Sequence, residues 1–131
     1  MTSIFSRIIE RELPAYIVAE DDHHIAFLDI NPNALGHTLC VPKKEVDKLF
    51  DLDDDSYLNL MHFSHRVATA LRQVVSCQRV GLLVIGLEVP HVHVHLIPLN
   101  DMADATFKKK VAPSKEEMQT LTQQISTAFK Q

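Results

Sequence analysis

Cysteine and glycine are scarce in this chain, and each scarcity removes a class of function. Of 131 residues only two are cysteine and three are glycine. Cys40 and Cys77 stand far apart and lack CxxC spacing, so they read as plain thiols of a protein kept in a reducing compartment. With only Gly36, Gly81 and Gly86, there is no P-loop and no dinucleotide fingerprint, so a phosphate would have to be held by side chains. A GxSxG elbow and a local Cys/His signature are also missing, which leaves serine or cysteine nucleophiles with little support. An excess of basic charge is lacking too: 13 Lys and Arg stand against 17 Asp and Glu, a formal net charge of -4. That balance argues against a broad surface for a nucleic acid polymer, although one small pocket can still be locally positive and take a nucleotide. No apolar run approaches a membrane span, and residues 1–11 lack the apolar core of a signal peptide. The expected location is therefore cytoplasmic, with no membrane partner.

What is present describes one compact unit. The length fits a single domain over residues 1–131, and 46% apolar with 23% charged residues is ordinary for a globular chain. Residues 3–13 predict a short amphipathic helix stopped by Pro14. Residues 16–19 and 25–30 predict a hairpin, and 37–41 a third strand after the turn chemistry of Asn31-Pro32-Asn33 and Gly36. A long helix is expected over 54–75, with Asp51, Asp53, Asp54 and Asp55 read as helix-start carboxylates rather than as a metal site. Strands follow at 80–85 and 91–99. The capping box Ser114-Lys115-Glu116-Glu117 opens a last helix over about 114–130. The order β-β-β-α-β-β-α predicts an α+β fold with an antiparallel sheet covered by helices.

The chemistry is concentrated in His91-Val92-His93-Val94-His95. Alternation along a strand puts the three imidazoles on one face and Val92, Val94 and Leu96 on the other. The apolar face belongs to the core, so the histidine face is expected to be exposed or to line a cleft. Imidazoles side by side are a poor choice for stability, because each loses hydration and protonated neighbours repel. Function explains them better. A metal is one alternative: same-face neighbours lie about 6.5 Å apart and the outer pair about 13 Å, so one ion could take two of them but not all three. His62 and His65, one helical turn apart, could add ligands, but they read as solvent-facing. Phosphorus chemistry suits the cluster better, because neutral imidazole is a nucleophile near pH 7 and its neighbours can handle protons.

Residues 91–97 match the histidine-triad signature His-φ-His-φ-His-φ-φ, where φ is apolar. Upstream, Ile4-Phe5 through Ile8-Ile9, Glu12-Leu13-Pro14-Ala15, Glu20-Asp21-Asp22, Ala26 to Ile30 and His37 to Lys44 follow in matching order and spacing. Over residues 3–99 the chain resembles the histidine triad (HIT) family, in its Hint-like branch. The resemblance implies a HIT-like five-stranded antiparallel sheet with two main helices plus a short N-terminal helix, in a homodimer whose sheets join. It implies hydrolase or nucleotidyl transferase chemistry on purine nucleoside phosphoramidates or related conjugates, with no cofactor and no metal. Dinucleoside polyphosphate hydrolysis, a nucleotide-binding regulatory module with weak catalysis and a His-ligated metalloenzyme are the alternatives. By the motif, His93 is the nucleophile, His91 and His95 flank it, and His37 supports the relay. Asp29 matches the carboxylate that receives ribose hydroxyls, and Ile4, Phe5, Ile8, Phe27, Leu28, Ile30 and Leu39 match positions lining the base pocket. The connection Ile85-Gly86-Leu87-Glu88-Val89-Pro90 departs from the family. The usual Asn is absent and the loop is shorter, with Gly86 and Glu88 standing near the phosphate contacts. Glu88 is expected to hydrogen-bond a triad-region histidine or a backbone amide. The run Lys108-Lys109-Lys110 reads as a solvated one.

Overall fold

Each helix begins at a side chain able to receive an amide that the first turn leaves without a carbonyl. In the computed structural model, which describes residues 2–131, the Ser3 hydroxyl accepts the Ser6 amide and opens α1 (Ile4–Ile9). This helix is shorter than the 3–13 expected. Arg11 takes φ 63°, and the Glu12 and Leu13 amides turn back to the Arg7 carbonyl, so the chain leaves the helix before Pro14. Asp53 receives the Ser56 amide at the start of α2 (Asp54–Val74), with Asp54 and Asp55 in its first turn. The acidic run thus complements a helix dipole. Ser114 and Glu117 form the reciprocal capping box of α3 (Lys115–Phe129).

Five strands, β1 (Ile17–Glu20), β2 (His24–Leu28), β3 (Thr38–Pro42), β4 (Arg79–Leu83) and β5 (Val94–Leu99), form one sheet in the order β1-β2-β3-β5-β4. All neighbours are antiparallel, as the α+β reading expects. The pleat sends alternate side chains into two apolar layers. Ala26, Leu28, Cys40, Val94 and Leu96 pack against α2 and α3 through Leu60, Phe63, Val67, Leu121 and Ile125. Ile25, Phe27, Leu39 and Val41 pack on the opposite face against Phe5 and Ile8 of α1. The histidines lie on this second face. No helix is long and apolar enough to cross a membrane among the described residues.

The turn leading into β3 depends on Gly36. Its φ is 98°, and a Cβ there would lie 2.9 Å from Val75 Cγ2. Gly86 is also left-handed, at φ 75°, but a Cβ there would meet nothing within 4 Å. Gly86→Ala should therefore cost only the left-handed penalty, about 1–2 kcal/mol. Gly36→Ala should cost that plus overpacking of about 1–3 kcal/mol. Urea unfolding of the two variants measures both, and equal losses would show that the approach to Val75 carries no weight.

Candidate active site

The ladder between β3 and β5 runs Thr38–Leu96, Leu39–His95 and Cys40–Val94, and there it stops. Pro42, which has no N–H to offer, closes β3. Its carbonyl instead receives Nε2–H of His91 at 2.8 Å, and the Val92 amide goes to the Val46 carbonyl. The expected strand over 91–99 therefore begins only at Val94, and His91 and His93 lie on the irregular chain before it. Alternation survives this change, since Val92, Val94 and Leu96 all enter the helix-side core. The histidine face is far from open: His91 is fully buried, while His93 and His95 keep 7% exposure each. Phe5 of α1 covers it, its ring centroid 5.9 Å from that of His91 and 4.9 Å from that of His93.

The partners of each ring decide where its proton sits, because a carbonyl only accepts and an amide only donates. His93 Nδ1 is 2.8 Å from the His91 carbonyl, so Nδ1 carries the hydrogen and Nε2 is bare. His91 donates from Nε2 to Pro42, so its Nδ1 accepts the Ser3 hydroxyl at 2.6 Å. The Asn33 amide donates to His37 Nδ1 at 3.0 Å, which puts the hydrogen of His37 on Nε2. That hydrogen points to His95 Nδ1 at 2.9 Å, and His95 then carries its own on Nε2. Neither His93 Nε2 nor His95 Nε2 has a hydrogen-bond partner, and no fully buried side-chain polar atom among the described residues lacks one, so both nitrogens reach solvent. Their rings are 4.9 Å apart between centroids. The site thus presents one bare nucleophilic nitrogen beside one N–H donor.

Burial favours the neutral forms of His37, His95 and His91. It pushes His37 down from 6.5 to about 3, helped by His95, Lys110 and His93. It pushes His95 down to about 4, helped by His93 and Lys110. His91 is lowered by burial as well, against the opposing pull of the Pro42 carbonyl and Glu45. Burial raises the Asp29 carboxyl, and Glu88 adds to that, while the Asn31 amide, Lys110 and His93 work against it. Asp29 Oδ2 lies 3.6 Å from His37 Nε2.

The structure brings together His91, His93, His95, His37, Asp29 and Phe5, and places Phe27, Ile8 and Leu39 in the apolar layer beneath α1. Two expected positions need correction, Leu28 and Glu88. Leu28 faces α2 and α3, because residues adjacent on a strand point to opposite sides and Phe27 holds the site side. Ile4 on α1 and Ile30 just past β2 are 50% and 80% exposed, which leaves both side chains open to a ligand. Glu88 is exposed and makes no hydrogen bond to a histidine or an amide among the described residues; only its charge is felt, at Asp29. Gly86, half-buried with φ 75°, turns the chain between β4 and the histidines. His62 and His65 face solvent on α2.

Sequence reasoning did not single out Ser3, Asn33, Glu45, Phe107 or Lys110 as site residues. Ser3 had a visible signal as a capping residue, but its bond to His91 spans 88 positions. Asp29, His37 and His95 form the one His/Cys/Asp/Glu group among the described residues able to offer a metal three ligand atoms within 4.8 Å of one another. His37 Nε2 and His95 Nδ1 already share a hydrogen, which an ion bound to both would have to displace.

The neutral rings set a pH dependence of stability. Unfolded histidines protonate near 6.5, whereas His37 and His95 resist down to about 3 and about 4. Between those values the unfolded chain binds more protons, so stability rises with pH. The contribution is fully present above pH 6.5 and is lost as pH falls toward 4, at up to about 1.4 kcal/mol per unit for each ring. Urea midpoints at pH 7.5 and 4.5 test this, and an unchanged or higher midpoint in acid would contradict it.

The family model of the HIT domain matches residues 10–102. A HIT-like protein of Borreliella burgdorferi is 36% identical over 94% of this chain and 95% of its own length. An adenosine 5'-monophosphoramidase of Schizosaccharomyces pombe is 31% identical over 99% of this chain and 100% of its own. Among solved structures, a histidine triad nucleotide-binding protein of Sulfolobus tokodaii superposes with TM-score 0.85 at 32% identity, covering 96% of this chain and 91% of that one. With that match, the shared sheet topology and the three histidines set on it, this chain belongs to the HIT domain family.

Proposed function

We propose that this protein hydrolyses, or transfers the nucleotidyl group of, purine nucleoside phosphoramidates and related conjugates through a covalent intermediate on His93. One observation carries the reading: the His91 carbonyl holds hydrogen on Nδ1 of His93, leaving Nε2 bare, solvent-reachable and beside the His95 Nε2–H. The S. pombe relative, named as an adenosine 5'-monophosphoramidase, supports the substrate class. In the first step the Nε2 lone pair forms a bond to phosphorus while the bond from phosphorus to the leaving nitrogen breaks. That nitrogen departs with a proton from His95 Nε2, taken up with the anionic substrate. The ring of His93 becomes cationic, and the carbonyl on its Nδ1–H stabilises that charge. In the second step water attacks phosphorus, the electron pair of the breaking bond returns to Nε2, and His95 receives the proton that water loses.

Asp29, 19% exposed in its side chain, receives the ribose hydroxyls, and Phe27, Ile8 and Leu39 form the apolar ground beneath the base. Glu88 is exposed, and its charge, felt at Asp29, selects against a further anionic group on the conjugate. That favours P–N conjugates over dinucleoside polyphosphates. A cytoplasmic location suits the two free thiols, Cys40 and Cys77. The active form is a homodimer joined along β4, a free sheet edge bordered by Leu82, Ile85 and Leu87, which are 52%, 45% and 90% exposed.

Three measurements test these readings. His93→Ala should lower turnover of an adenosine 5'-phosphoramidate by about a thousandfold or more while nucleotide binding persists. Wild-type protein quenched in base should carry the mass of one adenylate on His93. Retained turnover in the variant would exclude His93 as nucleophile. Light scattering should give twice the mass of one chain, and Leu82→Asp with Leu87→Asp should halve it; a monomeric wild type would remove the dimer.

A further inference from the structure

After β5 the chain does not leave the site. A single 3-10 turn, Met102–Ala105, is closed by Asp101 and Asp104 in a reciprocal capping box. Asp104 also receives the Asn100 amide at 2.8 Å and Lys109 Nζ at 3.3 Å, so the turn is held from both ends. Beyond it Phe107 adopts φ 63°, a left-handed backbone that a residue with a Cβ takes only under constraint. Its ring belongs to neither apolar layer. It meets imidazoles instead, edge-on to His95 at 5.0 Å and to His37 at 6.0 Å between centroids.

Lys110 comes next on the same side. Its ammonium lies 5.0 Å above the Phe107 ring and donates to the Asn31 carbonyl at 3.0 Å and to Asn33 Oδ1 at 2.8 Å. The Val111 amide reaches the Pro32 carbonyl, and Asn33 Nδ2 reaches the Asp104 carbonyl at 2.9 Å. Residues 31–33 are thereby tied to the segment after β5 at every position. These are the residues whose amides set the site: Asn31 N–H holds Asp29 Oδ1 at 2.8 Å, and Asn33 N–H holds His37 Nδ1 at 3.0 Å.

We propose that residues 106–111 are a clamp in which Lys110 and Phe107 act as positioning residues. Lys110 sets the loop amides that orient Asp29 and fix the His37 tautomer, and Phe107 shields the His37–His95 hydrogen bond from water. The proposal rests on the nucleotide-conjugate reading for its effect on turnover, but not for its effect on the rings. The lysine run therefore divides by role. Lys108 is exposed with its side chain unpaired among the described residues, Lys109 pairs with Asp104, and Lys110 serves the site. The positive charge of Lys110 also favours ionised Asp29 and neutral His37 and His95.

The test combines kinetics with imidazole nitrogen NMR on the whole chain. Lys110→Met should lower kcat/KM for an adenosine 5'-phosphoramidate by about tenfold or more, as expected for a lost charged donor. The loss should fall on both KM, through Asp29, and kcat, through His37. Lys110→Arg should recover most of it, and Lys108→Met should leave it unchanged. Phe107→Ala should lower kcat with little change in KM. In the protein alone, Lys110→Met should shift or broaden the ring nitrogens of His37 and His95, with circular dichroism unchanged. Unshifted ring nitrogens together with kcat/KM within twofold of wild type would overturn the clamp. Shifted nitrogens in a protein whose wild type turns over no phosphoramidate would support the clamp and overturn the substrate reading.

Discussion

A backbone carbonyl cannot donate a hydrogen, and the site depends on that fact at His91. Its oxygen fixes the proton of His93 on Nδ1 and so leaves the opposite nitrogen free. Had a donor stood there, the bare nitrogen would face inward and the outward one would carry hydrogen and offer no lone pair. The same rule acts from the other direction at Asn33, whose amide makes His37 Nδ1 an acceptor and so orders the hydrogens through His37 to His95. Backbone groups hold their direction through the fold, so the proton positions are set before any substrate arrives.

Packing supplies the second constraint. Histidines gathered in one small region would repel if charged, and burial eases that conflict by favouring the neutral forms of His37, His91 and His95. The cost is a set of polar rings taken out of water, which is tolerable only because each buried nitrogen has a partner. Those partners come from both ends of the chain. Ser3, at the start of α1, meets His91, and the Ser3 amide and Ser6 hydroxyl together hold Glu45 at 2.7 and 2.6 Å. From the other end, the segment after β5 closes over His37 and His95. A helix cap and a surface lysine thus each feed a hydrogen-bond chain that ends among the histidines, one through His91 and the other through Asn33 and His37.

Membership of the HIT domain family and the details of this chain bear on different parts of the site. The sheet and the histidine spacing go with membership of the family, whereas the turn at Gly86 and the exposed Glu88 are local features of the segment before the histidines. An acidic group near Asp29 changes the local potential without touching the rings.

The local pattern of residues was enough to read the helices, the antiparallel sheet and the separation of Val92, Val94 and Leu96 from the histidines, because pleat and capping depend on residues two or three positions apart. The end of the strand at Val94 was not legible, since it follows from Pro42 meeting His91 across 49 positions. Nor could Leu28 be told from Phe27 as a site residue without knowing which face of β2 met α1. The choice of free nitrogen on each ring, and the recruitment of Ser3 and Lys110, rest on bonds spanning 88 and 77 positions. Sequence by itself therefore determined the family, the elements and the gathering of the histidines on one side of the sheet. Tertiary structure alone decided where each proton sits, because a hydrogen bond depends on two groups meeting in space and local periodicity describes only one of them.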